Sequence, residues 1–162
     1  RCFAVSSFGK TYHTTGWKVG YCVAPPGLTA EFRKIHQYVT FAISTPMQHG
    51  IAAFMADPSF HLELPVFYQN KRDHFRRALE GSHWELLPCQ GTYFQLLGYS
   101  GISDRSDTDM ANWLTREAGV AAIPVSVFYQ DGRDARILRF CFAKDDATLD
   151  MAAARLREVS AA

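Results

Sequence analysis

The sequence contains no apolar run near the ~20 residues that span a bilayer, and its start has no charged segment followed by an apolar one, as a secretory leader would. Neither a membrane span nor a leader is expected, and the chain is assigned to the cytoplasm. A surplus of one charge is also missing. Lys and Arg number 17 against 16 Asp and Glu, a net of +1, with no basic stripe or polybasic block, which argues against nucleic acid and membrane surfaces as partners. The four cysteines, Cys2, Cys22, Cys89 and Cys141, are far apart in apolar, strand-like contexts, so buried free thiols are expected rather than bridges. Metal-ligand spacings are missing too. There is no H-E-x-x-H and no paired Cys-x-x-Cys, and the partial zinc-deaminase pattern, His61-Leu62-Glu63 with Pro88-Cys89, has Thr92 where the second Cys belongs. No repeat or low-complexity linker occurs. What remains is an ordinary globular composition, 48% hydrophobic and 20% charged over 162 residues, enough for a domain with a real core.

Apolar periodicity predicts alternating strands and helices. Cys2–Val5 and Trp17–Ala24 read as strands around a polar loop that carries Lys10. Leu28–Phe41 has helical spacing of Phe32, Ile35 and Val39, and Pro46 opens a helix through Met55. Helical character then continues from Asp57-Pro58 to Glu80, stopping at Gly81, with Pro65 as a possible interruption. Short strands follow in "WELLP" and "GTYFQLLGY", then a helix from Asp107 to Gly119. Strands "VAAIP" and "ILRFCFA" come next, and a last helix opens at Asp145-Asp146. The class is α/β or α+β.

The loop "SSFGKT" admits three chemistries. A phosphate-binding loop needs a Gly five residues before Gly9, where Ala4 stands, and must lead straight into a helix, which Thr14-Thr15-Gly16 opposes. Ser7-x-x-Lys10 fits the penicillin-recognising acyl enzymes, but their companion Ser-Asp-Asn and Lys-Thr-Gly elements fail at the third position, in Ser103-Asp104-Arg105 and Lys10-Thr11-Tyr12. A lysine that forms a Schiff base with an aldehyde cofactor needs anion donors for the cofactor's phosphate. Here Ser7, Lys18 and a turn rich in Ser, Thr and Gly supply them.

The segment "SSFGKTYHTTGWKVGYCVAP" resembles the cofactor-lysine segment of the class I/II aminotransferases of the aspartate aminotransferase fold, in their kynurenine and methionine branch. "HQYVTFAISTPMQ", "LPCQGTYFQLLGYS", "GVAAIPVSVFY" and "LRFCFAKDDATLDMAAARL" are similar to that branch in the same order. The resemblance implies pyridoxal 5'-phosphate as cofactor. Lys10 would be its Schiff-base lysine and the proton carrier at the substrate α-carbon, and Ser7 and Lys18 would bind its phosphate. Arg139 would clamp the substrate α-carboxylate, as a planar two-donor group can. An unpaired guanidinium in an apolar strand is costly, so Arg139 is expected to have a partner. Tyr93 and Phe94 belong either near the substrate or in the core.

The resemblance also implies an amino acid and a 2-oxo acid as substrates, and a homodimer. The family's acidic partner for the pyridine nitrogen, its Asn and Tyr at the phenolic oxygen and its ring-stacking aromatic are not found here. The chain is therefore expected to be the C-terminal part of a longer protein and inactive alone. Residues 1–45 would be a piece of the large cofactor-binding domain, 46–80 an interdomain helical segment and 81–162 the small α/β domain. A non-catalytic binding module, or a β-lyase of the same fold, is the alternative reading of the same residues.

Overall fold

In the computed structural model, which describes residues 1–159, the chain forms two compact units, Arg1–Pro65 and Val66–Ala162.

The first unit opens with an antiparallel ribbon of β1 (Ala4–Ser7) and β2 (Gly20–Val23), paired from Ala4↔Val23 to Ser7↔Gly20. The sequence places the first strand two residues earlier. It runs on into Ser6-Ser7 because Gly20 has no side chain: a Cβ there would sit 2.5 Å from the Ser6 carbonyl oxygen. Between the strands lie α1 (Phe8–Thr11) and a 3-10 turn at Thr15–Trp17. Then come α2 (Pro26–Val39), with Pro inside its first turn, α3 (Thr45–Phe54) and the short α4 (Ser59–Leu62). This unit buries little. Both ribbon strands are largely exposed, α2 has no buried residue, and Val19 and Ile51 are its buried hydrophobic side chains.

The second unit carries the core. Its sheet, in the order β3 (Glu85–Leu86), β4 (Phe94–Gly98), β6 (Ile137–Cys141), β5 (Ile123–Pro124), is antiparallel throughout. α5 (Leu64–Ala78) takes Pro65 into its first turn, so Pro65 starts this helix rather than breaking one. Gly81, at φ +74°, turns the chain after it. α6 (Asp107–Trp113) widens into a π turn, Leu114–Ala118, that ends at left-handed Gly119. α7 (Asp146–Glu158) is capped by the Asp145 carboxylate, which accepts the Thr148 N–H at 2.7 Å.

Strand alternation sets the two faces of this sheet. Leu97, Leu138 and Phe140 point into one cluster with Phe75 of α5 and Leu79 just after it, Met110 and Leu114 of the α6 segment, and Leu149, Ala153 and Leu156 of α7. Phe94, Leu96, Arg139 and Cys141 lie on the opposite face, with Phe94↔Cys141 and Leu96↔Arg139 as direct cross-strand pairs. The four thiols are free, as expected, but not buried. Cys2 and Cys141 are exposed and Cys22 and Cys89 half-buried. For Cys141 the reason is strand parity, which turns it away from the core together with Arg139.

Candidate active site

The lysine loop is built by its hairpin. Beyond the last strand pair, the Phe8 N–H donates to the Val19 carbonyl at 3.2 Å, so residues 9–18 form the tip. Ser7 turns the chain from strand to helix. Its backbone is extended (φ −121°, ψ 140°) and its Oγ accepts the Gly9 N–H at 3.0 Å. Gly9 is buried, and a Cβ there would meet Thr15 Cα at 3.0 Å and Ser7 Oγ at 3.2 Å. The Thr14 N–H and the Thr15 hydroxyl both donate to the Gly9 carbonyl, at 2.9 and 3.3 Å. With Gly9 held inside, Lys10 is directed to the exposed side of the tip. The 3-10 turn closes on Lys18, whose left-handed backbone (φ 57°, ψ 37°) is uncommon for a residue with a side chain. Tyr12, at the far end of α1, bonds His61 Nδ1 at 3.3 Å and packs edge-on against Phe54.

Lys10 and Lys18 thus lie on one hairpin tip with Ser7 at its base, and its electrostatics favour an anion. Residues 1–30 contain no Asp or Glu. Among the described residues, neither Lys10 nor Lys18 joins an ion pair. The Ser7 hydroxyl proton has only a 3.5 Å contact to the Val19 carbonyl, and Thr14 Oγ1 is buried with no hydrogen-bond partner. Uncompensated cations, a weakly held O–H and an unpartnered hydroxyl make a donor set that fits a phosphate monoester.

Arg139 lies in the second unit, on the open face of β6. Its guanidinium carbon stands 4.1 Å above the Phe94 ring centroid and 5.0 Å above that of Phe128. Its Nε is buried without a hydrogen-bond partner, and among the described residues no carboxylate pairs with it. A guanidinium stacked on aromatic faces and left without a carboxylate partner can receive a planar anion. Tyr93 is placed differently, edge-on against Tyr68 at 4.6 Å. Burial, with Tyr93 and Cys141 nearby, raises the Tyr68 phenol above its usual value. Phe128, in the 3-10 turn Ser126–Phe128, went unassigned in the sequence. An aromatic within "VSVFY" carries no spacing signal that would link it to a strand arginine.

Known proteins resemble this chain in sequence and in fold. A methionine aminotransferase of Escherichia coli strain K12 is 54% identical over 160 residues, which cover 98% of this chain and 42% of that protein. A kynurenine–oxoglutarate transaminase of Dictyostelium discoideum is 37% identical over 94% of this chain and 40% of its own length. Among solved structures, Escherichia coli YbdL, described as having a methionine aminotransferase function, superposes with a TM-score of 0.93 at 55% identity, again over 98% of this chain and 42% of that one. N-succinyldiaminopimelate aminotransferase from Mycobacterium tuberculosis superposes at 0.83 with 29% identity over 98% of this chain and 42% of its own. The chain spans about two fifths of the length of these relatives. The family description "aminotransferase class I and II" matches residues 1–156, nearly the whole sequence including both the lysine hairpin and the Arg139 strand, and the chain belongs to that family.

Proposed function

We propose that the whole protein is a pyridoxal-phosphate-dependent aminotransferase. It transfers the amino group of an L-amino acid, methionine or an aromatic one, to a 2-oxo acid, as a homodimer in the cytoplasm. The observation that carries this reading is the acid-free hairpin, which carries Lys10 in sequence between the weakly held hydroxyl of Ser7 and a second cation at Lys18. Relatives named for methionine and kynurenine support the choice of donor. Residues 1–45 then belong to the large domain, 46–80 to the interdomain segment and 81–162 to the small domain; the division at Pro65/Val66 falls within the middle segment.

When bound, pyridoxal phosphate supplies an aldehyde that links to an amine and an electron sink for the pair left when the substrate α-proton departs. The chain's own residues do the rest. Ser7 and Lys18 would hold the phosphate by an O–H and an N–H donor. Lys10 would anchor the cofactor through Nζ, and the same amine would hold and move the proton of the substrate α-carbon. Arg139 fixes the α-carboxylate and thereby the orientation of the α-carbon, and Phe94 and Phe128 keep water from the guanidinium.

The test is formation of a 2-oxo acid from L-methionine or L-phenylalanine by the whole protein. Lys10→Ala is expected to lower turnover by at least ~10²–10⁴-fold, the scale of a positioned acid–base group. Unchanged turnover would remove Lys10 from the reaction and with it this reading. The 162-residue chain alone is expected to turn over very slowly, because the residues expected to protonate the pyridine nitrogen are not found in it.

A further inference from the structure

The second unit holds a carboxylate that the reaction outlined above does not use. Asp107 is 1% exposed, and among the described residues no cation pairs with it. A buried carboxylate is costly unless its oxygens are bonded. Both are bonded to one residue: Oδ2 accepts the Ser126 N–H at 2.7 Å and Oδ1 the Ser126 hydroxyl at 2.6 Å. Ser126 begins the turn that carries Phe128. That turn has little packing of its own, since Val127 and Phe128 are 61% and 60% exposed. A turn whose apolar side chains face outward is held by its hydrogen bonds rather than by a core. The same cluster reaches the arginine strand. Asp134 accepts the Asp107 N–H at 2.8 Å and the Arg136 N–H at 2.7 Å, just before β6 begins.

We propose that Asp107 is a positioning residue: its clamp on Ser126 holds the Phe128 ring over the Arg139 guanidinium and so sets how tightly that guanidinium binds a carboxylate. With the ring in place one side of the guanidinium is shielded from water, which strengthens its hydrogen bonds to an incoming anion. With the turn released, water competes for the same donors. The inference rests on reading Arg139 as the carboxylate site.

The probe is phenylacetate, a carboxylate without an amino group, titrated into the 162-residue chain carrying isotope-labelled arginine. The readout is the Arg139 Nε–H resonance, assigned by its loss in Arg139→Lys. A saturable shift is expected. Asp107→Asn, Ser126→Ala and Phe128→Leu are each expected to weaken binding by about 5- to 20-fold. If the clamp works through the ring, adding Asp107→Asn to Phe128→Leu weakens it by less than about 2-fold further. Ser126→Ala should also move the ligand-free Arg139 resonance in the direction Phe128→Leu moves it, because both displace the ring current. A general loss of structure would not produce that pattern. Should Asp107→Asn fail to fold, Ser126→Ala carries the comparison. Wild-type affinity in a folded Ser126→Ala or Asp107→Asn chain, or fully multiplicative effects in the double variant, would overturn the proposal. No shift at Arg139 in the wild-type chain would instead refute the carboxylate reading itself.

Discussion

Replacing Arg139 with Met separates a binding cation from a structural one, because the two roles predict stability changes of very different size. A structural buried arginine is paired, and removing it strands its partner at a cost of about 3–5 kcal/mol. Among the described residues Arg139 has no such partner: its Nε is buried without a hydrogen bond, and its guanidinium lies over the rings of Phe94 and Phe128. Losing two partly exposed cation–π contacts costs about 1–2 kcal/mol. Removing a buried unsatisfied N–H returns about 1–3 kcal/mol, and methionine keeps much of the stem's packing against the rings. The two terms nearly offset, so Arg139→Met should change stability by no more than about 1 kcal/mol in either direction. Urea unfolding followed by tryptophan emission reports on this unit, since Trp84 is buried in its core with Nε1 bonded to the Leu156 carbonyl at 2.9 Å. The midpoint should stay near wild type while phenylacetate binding is lost. A loss of 3 kcal/mol or more, the scale of a broken buried pair, would show that Arg139 is structural and refute this argument.

Two further outcomes are expected. Gly20→Ala places a Cβ within 2.5 Å of the Ser6 carbonyl oxygen, so the ribbon must part where Ser7 and Gly20 pair. Amide exchange at Phe8 and Tyr21 should quicken and specific reaction of Lys10 with pyridoxal phosphate should fall, whereas protected amides at both would count against the hairpin register. The second concerns pH. The Asp145 carboxyl is held below its ordinary value of 3.8 by hydrogen bonds from the Thr148 N–H and hydroxyl. A depressed folded value means that its stabilisation is present above the unfolded value and disappears as pH falls through the folded one. Asp145→Ala should therefore melt below wild type at pH 6, with the gap closing as pH drops under 3.8; a gap constant with pH would mean that the charge plays no part in the cap.

Much of this architecture was legible because the residues that form it act locally. Pro and Asp mark helix starts at Pro46 and Asp145, Gly81 marks a stop, and the alternation of "ILRFCFA" gives a half-buried strand. The hairpin that carries Ser7, Lys10 and Lys18 was legible for the same reason, since its two strands and their connection are close in sequence. The boundaries of β1 were not, because its last pairs depend on the missing side chain of Gly20 across the ribbon. Nor was the setting of Arg139. Phe94 and Phe128 reach it from a neighbouring strand and a separate turn, contacts made by tertiary structure with no local pattern. The cysteines erred in one direction: an apolar context was read as burial, while strand parity turned Cys141 outward.

If Lys10 is the cofactor lysine, this loop builds a specific site for pyridoxal phosphate there. The direct measurement is to incubate the purified chain with the cofactor, reduce with borohydride and locate the modified residue by peptide mass spectrometry, with Lys10→Ala and Lys18→Ala alongside. Modification confined to Lys10, lost in Lys10→Ala and weakened in Lys18→Ala, is the predicted result. Modification spread evenly over the chain's lysines, or equal labelling of Lys10 with and without Lys18, would contradict it.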